Sequence, residues 1–533
     1  MKPEKTPEEA ARSKRAHADS MILMGVVTTV AALIAAWIAM SGRGDVPDWL
    51  FGGAPQTRAV SGNWTNTPSA VRFADWGPEP FARAKKEGKL VLLFLGPSYS
   101  APTARMEAET FGDPKAAAVA NARFVAVRVK SEDYPDLDRR YRAGGWPTTA
   151  VLLPDGVPLA AGTDMTPGQF ERWAEELADQ AASHPRLIDR AEEEAAQARR
   201  AAAVPSGALM VPAAAAARAR DVLLAQWDPA RSTFDRVGAR FPRFDRVAAL
   251  RRVGAPWASD LALEAAKGDL IFSDPESGGF RRAANPDGTI AALEIVAPVQ
   301  AQSLDALCGL LPAAAGKELA FLDKSFRPKP PPAWRGWLAG YALSPDRHEA
   351  SDGPDFERWR ADGWLAEGGA RVGEDADLSR AVLSCAQASA AEKAFARKAL
   401  DRAWTEFGHA ALRHDPRLLL DDALSMGEAL LADQRPDRAL SVWRWMDANL
   451  ADGPAFYDRV PTGVLPPEMD QVAYPELNAR ALAFARELLR DEPVGARQNG
   501  LVKRGPALYA WLSARSSALD PAVWAALAAA ETR

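Results

Sequence analysis

Cysteine is almost missing from this chain. Two occur in 533 residues, Cys308 and Cys385, and they do not form a CxxC. Dithiol chemistry needs a thiolate beside a resolving thiol, so no local motif for it exists. Both cysteines lie in helical-looking segments of the same half and could pair. Two buried free thiols is the favoured reading, because free cysteine is commonly buried. The count alone assigns no redox compartment. Histidine is nearly as scarce, with five residues and no HxxxH spacing. Neither a zinc site nor any other metal or cofactor is expected. No basic cluster interleaved with aromatics is found. The 65 Lys and Arg are spread along the chain against 70 Asp and Glu, for a net charge of -5. A nucleic-acid partner is therefore not expected.

What is present is an ordinary globular composition, 47% hydrophobic and 25% charged, which excludes a disordered chain. The length calls for two or more domains. Tryptophan is abundant, at 17 residues. Trp can stack on sugars, but it also fills cores well, and core is the favoured role here.

Residues 21–40 carry no charge and are long enough to span a bilayer, which takes roughly 20 residues. A secretory signal has a shorter apolar core, so 21–41 reads as an uncleaved transmembrane anchor. Arg12, Lys14 and Arg15 flank it on one side, and Arg43 alone on the other. The positive-inside bias places tail 1–20 in the cytoplasm and the bulk on the extracytoplasmic (periplasmic) side. Residues 42–69, rich in Gly, Pro, Asn and Thr, read as a linker.

The segment 70–182 alternates helix and strand patterns. Residues 76–87 predict a helix with an early Pro and a basic last turn. Lys89–Gly96 and Phe124–Val129 predict buried strands. A helix over 103–121 is interrupted at Gly112-Asp113-Pro114, and a short helix covers 134–141. Pro154-Asp155-Gly156 predicts a hairpin between 148–153 and 157–161. Thr166-Pro167-Gly168-Gln169 is a capping box opening the last helix. Residues 183–226 read as a helical connector with opposite charges at i,i+4. From 227 to 533 helix-sized apolar patterns alternate with Gly/Pro/Asp loops, which predicts stacked helical hairpins.

Four ordered stretches carry a resemblance: WGPEPFARAK, GPSYSAPTARMEAETF, FVAVRVKSEDYPDLD and GGWPTTAVLLPDGVPLAAGT. They are similar to the thioredoxin-domain proteins of the spermatogenesis-associated protein 20 type. That family pairs an N-terminal thioredoxin-like domain with a helical barrel. The resemblance weakens beyond residue 227, where it continues in FDRVGARFP, AAKGDLIFSDPESGGFRR, LDDALSMGEALL and PELNA. It implies a multi-domain fold: the transmembrane helix, an α/β thioredoxin-like domain, then an all-α (α/α)6 six-hairpin barrel at 227–533. That barrel is similar to those of sugar epimerases and inverting glycosidases.

The departures from the family pattern decide the functional expectation. Aligned on Met106-Glu107, the family's two redox cysteines fall on Ser100 and Thr103, and the His after the second falls on Ala104. A serine hydroxyl cannot exchange disulfides, and residues 70–182 contain no histidine to serve Ser100 as a base. Pro147 matches a proline that is usually cis in thioredoxin-like folds and keeps the groove beside the turn. In the helical half the family histidines fall on Arg281 and Ala292. Glu294, Asp422 and Glu428 match family acids and are the weak catalytic candidates, with Asp274 and Glu276 near the same rim.

The favoured expectation is a membrane-anchored, redox-inactive pseudoenzyme that binds a protein or peptide at the membrane surface. Its groove is formed by Tyr99, Ala101, Pro102, Trp146 and Pro147. The alternative is a carbohydrate-active enzyme in the barrel, with carbohydrate as ligand. A thiol-disulfide oxidoreductase using Cys308 and Cys385 ranks last.

Overall fold

The computed structural model describes most of residues 69–515, together with 523 and 527. Its longest breaks are 197–211, 327–336 and 343–370. The tail 1–20, the anchor 21–41 and all but the last residue of the linker lie outside the described residues. Among the described residues, no helix is long and apolar enough to cross a membrane.

The first domain is a five-stranded sheet covered on both faces. Its elements are β1 (Ala74–Asp75), α1 (Pro78–Glu87), β2 (Leu90–Gly96), α2 (Ala101–Arg105), α3 (Pro114–Arg123), β3 (Phe124–Lys130), α4 (Pro135–Tyr141), β4 (Thr148–Leu152), β5 (Pro158–Thr163) and α5 (Pro167–Ser183). The strand order is β1-β3-β2-β4-β5. β3 pairs in parallel with both β1 and β2, and β4 pairs antiparallel with β2 and β5. This is the thioredoxin arrangement. Alternation along β2 builds it, because successive side chains leave opposite faces of a strand. Leu92 and Phe94 join a cluster with Phe111 and Phe170, whereas Val91, Leu93 and Leu95 join one with Phe81, Leu137 and Tyr141. Phe111 meets Phe94 edge-on at 4.8 Å and Phe170 at 5.3 Å, a geometry that suits aromatic quadrupoles.

The expected local signals act as read. Asp113 caps α3, accepting from the Lys115 and Ala116 amides at 2.9 and 3.0 Å. Gln169 accepts from the Thr166 amide at 2.9 Å. The two-residue edge strand β1 is not anticipated, since two residues carry no periodicity. The stretch after α2 winds as a π-turn over Met106–Thr110.

The second domain is helical. α6 (Pro212–Gln226) leads into five hairpins among the described residues. They are α7 (Phe244–Val253) with α8 (Pro256–Gly268), α9 (Ala297–Leu307) with α10 (Pro312–Phe321), and α11 (Val372–Ser384) with α12 (Ala390–Leu412). After these come α13 (Leu420–Ala432) with α14 (Pro436–Asn449), and α15 (Pro475–Asp491) with α17 (Leu501–Ala514), the last two joined through α16 (Pro493–Gln498). The first helix of each hairpin packs on the first helix of the next, in the order α7, α9, α11, α13, α15. Each second helix packs outside its own partner. Arg480 of α15 reaches past α13 to Asp377 of α11 at 3.0 Å. The inner row therefore curls round a hollow, as a helical barrel does. Trp337 and Trp443 are buried in its core.

One expectation is corrected. Cys308 and Cys385 are bonded as a disulfide, with Cα atoms 5.5 Å apart. Cys308 caps the C-terminus of α9 and Cys385 that of α11. Because α9 and α11 pack side by side, their ends bring the two thiols together. Sequence distance hides this.

Candidate functional site

The turn that would carry thiols is closed. Ser100 caps α2, and its Oγ accepts from the Thr103 amide at 3.4 Å. Ser100 is 1% exposed and Thr103 0%. Thr103 packs against Gly96, where an added Cβ would come within 2.6 Å of Thr103 Oγ1. Neither hydroxyl faces solvent, so neither is placed as a nucleophile. Pro102 is half-buried; Tyr99 and the side chain of Ala101 lie outside the described residues.

The Trp146–Pro147 peptide is cis, and Pro147 is buried. Trp146 Nε1 donates to Asp138 Oδ1 at 2.6 Å. The guanidinium carbons of Arg142 and Arg282 lie 5.1 and 4.9 Å from the centre of its ring. Arg142 belongs to the thioredoxin-like domain and Arg282 to the helical one. Trp146 is therefore a contact between domains, which its neighbours in sequence do not reveal.

That contact is part of a larger interface built on α4. Arg139 reaches Asp421 at 3.4 Å, and Arg140 reaches Asp458 at 3.3 Å. Asp136 pairs with Arg459, which also lies 3.7 Å from Asp470. Arg371 donates to the Asp133 carbonyl at 2.7 Å. Arg139 also stands over the Tyr474 ring at 5.3 Å. Arg371, Asp421 and Tyr474 lie at the N-terminal ends of α11, α13 and α15. The thioredoxin-like domain thus sits on the rim formed by the starts of the inner helices. Burial pushes the Asp458 carboxyl up to about 6, and the Arg140 charge only partly opposes it.

Behind that rim the inner helices send charged side chains into the hollow. Arg480 is saturated. Its Nε donates to Glu428 Oε1 at 2.7 Å and its Nη1 to Asp421 Oδ1 at 2.7 Å, while its Nη2 meets Asp377 Oδ1 and Ser425 Oγ at 3.0 Å. Arg380 pairs with Asp305 and lies 3.8 Å from Glu428. Despite this crowding, the Asp377 side chain is 28% exposed and that of Asp421 is 37%. Charged groups enclosed by helices yet open to water describe a wet cavity. Burial raises the Asp377 carboxyl to about 6, against the pull of Arg480. Burial would also raise Glu428, but Arg480 and Arg380 outweigh it and hold it below its usual value.

The three sequence candidates do not converge. Glu428 lies in this cavity with both oxygens on Arg480. Asp422 faces the rim, where it holds Arg371 and accepts from the Gly373 and Leu419 amides at 3.1 Å each. It is a structural cap. Glu294 lies in a two-stranded ladder opposite Ala342, and its side chain lies outside the described residues. Arg281, at a family histidine position, is buried against Asp274 at 2.9 Å; Glu276 lies outside the described residues. Sequence reading missed Asp377, Asp421 and Arg480. The i, i+4 and i+7 spacing of Asp421, Ser425 and Glu428 on α13 was the one available signal, and it reached only Asp421. Among the described residues, no group of three His, Cys, Asp or Glu side chains is placed to hold a metal ion.

Comparison with known proteins follows the domain boundary. Residues 64–199 match the family described as Thioredox_DsbH, protein of unknown function, DUF255. Rat spermatogenesis-associated protein 20 is 36% identical over 105 residues. The thioredoxin-like domain is thus similar to that of spermatogenesis-associated protein 20. An uncharacterized Caenorhabditis elegans protein, B0495.5, is 35% identical over 105 residues. These matches cover 18% of this chain and only 13% and 14% of the rat and nematode proteins. Among solved structures, a Thermus thermophilus thioredoxin aligns with 21% of this chain and 94% of its own, at 21% identity and a TM-score of 0.20. A sugar epimerase from a ruminal bacterium aligns with 55% of this chain and 85% of its own, at 12% identity and a TM-score of 0.38. The similarity to these relatives thus lies in the thioredoxin-like domain, where Ser100 and Thr103 stand at the redox positions.

Proposed function

We propose that this chain is a membrane-tethered, extracytoplasmic binding protein. Its thioredoxin-like domain offers a surface for a protein or peptide partner and carries out no thiol chemistry. The observation that carries this reading is the buried, thiol-free turn: Ser100 and Thr103 bond within it, and neither is open to a substrate. The docking surface runs from Pro102 to Trp146 over the buried Pro147, with the helical domain as its rigid backing through α4. The Cys308–Cys385 disulfide supports an oxidising compartment, where such bonds persist. The charge-free stretch 21–40 supports tethering. A photo-crosslinking residue at position 102 of the full chain, in intact membranes, tests the reading. One discrete adduct is expected, absent when the same residue replaces Glu175 on α5. Equal labelling at both positions, or none at 102, counts against it.

One observation favours a second reading, a carbohydrate-active site in the barrel. Asp377 and Glu428 share Arg480, yet their proton affinities are driven apart, as an acid and base pair requires. Against it, Arg480 occupies both oxygens of Glu428. Sugar epimerisation or hydrolysis that is abolished in D377N would establish this reading.

A further inference from the structure

A buried charge cluster joins the two domains, and its charges do not balance. α4 contributes Asp136 and Arg140, and the helical domain contributes Asp458, Arg459 and Asp470. All five side chains are buried. Three carboxylates thus share two guanidiniums away from water, where a surplus charge is costly.

The three acids are not equally supported. Asp136 pairs with Arg459. Asp470 accepts from the Gly463 amide at 3.0 Å and from the Thr462 hydroxyl at 2.8 Å, with Arg459 3.7 Å away. Asp458 relies on longer contacts, to Arg140 at 3.3 Å and to the Val472 amide at 3.3 Å. Arg139 on α4 and Tyr474 at the start of α15 also face it. Asp458 is therefore the acid on which the proton settles, and burial is the largest cause of its raised proton affinity. Parting the domains would return it to water, where it titrates near 3.8 rather than about 6. The docked state holds the proton more tightly. Its contribution is fully present below pH 3.8 and is lost as pH rises through about 6.

The cluster stands beside the Arg139–Asp421 pair, on the rim that the thioredoxin-like domain covers. The apolar part of the same contact carries no proton: Leu465 of the helical domain is buried with Tyr141 and Val157 in the thioredoxin-like core. Ionisation of Asp458 therefore loosens the α4 side of the contact and leaves the Leu465 side in place.

We propose that this cluster is a proton-operated clasp, which holds the thioredoxin-like domain over the barrel mouth in acid and loosens when Asp458 loses its proton. The clasp does not depend on what the turn at Pro102 or the barrel cavity binds.

The test is hydrogen exchange of the full chain at pH 5 and pH 8, corrected for the intrinsic rates. The readout is the protection of α4 amides relative to those of α3, which packs on α5. A pH effect on the whole thioredoxin-like domain, such as that of Glu107, acts on α3 and α4 alike and cancels. The ratio is expected to fall about tenfold from pH 5 to pH 8 in the wild type, as one carboxylate with these two proton affinities requires. In D458N, which keeps an acceptor for the Val472 amide but has no proton to lose, it should fall less than about threefold. A wild-type ratio that is the same at both pH values overturns the proposal without any variant. A fall in D458N equal to that of the wild type overturns it as well.

Discussion

Arg139 of the thioredoxin-like domain lies 3.4 Å from Asp421 of the helical domain, and Asp421 in turn accepts from Arg480 at 2.7 Å. One carboxylate thus links the domain contact to the barrel cavity. Both partners of the outer pair are partly exposed, so water screens it. R139A is expected to lower stability by only about 0.5–1 kcal/mol, as read from urea denaturation. A loss several times larger would mean that the pair is shielded from solvent.

The Asp136–Arg459 pair should behave differently. Both side chains are only 2% exposed. Removing one partner leaves a buried charge without compensation, which costs about 3–5 kcal/mol. R459M should split the calorimetric melt into two transitions as the domains uncouple. D136N/R459M should recover much of the loss. A single transition at the wild-type temperature for R459M would show that this pair does not hold the domains together.

Glu107 gives the thioredoxin-like domain a pH signature. It is fully buried, and burial raises its carboxyl to about 7 although Arg128 donates to it at 2.7 Å. The native state therefore holds the proton more tightly than the unfolded chain, whose carboxyl titrates near 4.5. The contribution is fully present below about pH 4.5 and is lost as pH rises through 7. The loss between pH 5 and 8 is on the order of 3 kcal/mol. E107Q keeps an acceptor for Arg128 but cannot ionise. Its stability should be flatter than wild type over that range, with the gain at pH 8. Parallel pH profiles would contradict this.

The disulfide joins cysteines 77 residues apart. In the chain-entropy account, closing a loop of that length stabilises the fold by about 4–5 kcal/mol. Iodoacetamide should label no cysteine before reduction and both after it. Reduction should lower the melting temperature of the helical domain. Labelling of the unreduced protein would show that the thiols are free.

The thioredoxin-like domain was legible because its signals are local. Strand alternation, the Asp113 cap, the Pro-Asp-Gly hairpin and the Trp146-Pro147 corner each act within a few residues. The helical hairpins were legible for the same reason. The interface and the cavity were not. Arg139, Asp421 and Arg480 meet across more than 300 residues, and nothing adjacent in sequence marks them as partners. Asp422 matched a family acid but serves as a cap, because position at a helix start, rather than residue type, sets its role. The disulfide was misjudged because its geometry depends on two helix ends that become neighbours only once the inner row has assembled.

The central claim is that the turn at 97–103 binds and does not react. It is tested most directly by thiol–disulfide exchange with a model disulfide substrate, followed at increasing concentrations of the full chain. The predicted rate equals that of buffer at every concentration, because Ser100 and Thr103 supply no thiolate. A rate that rises in proportion to protein concentration would contradict the account.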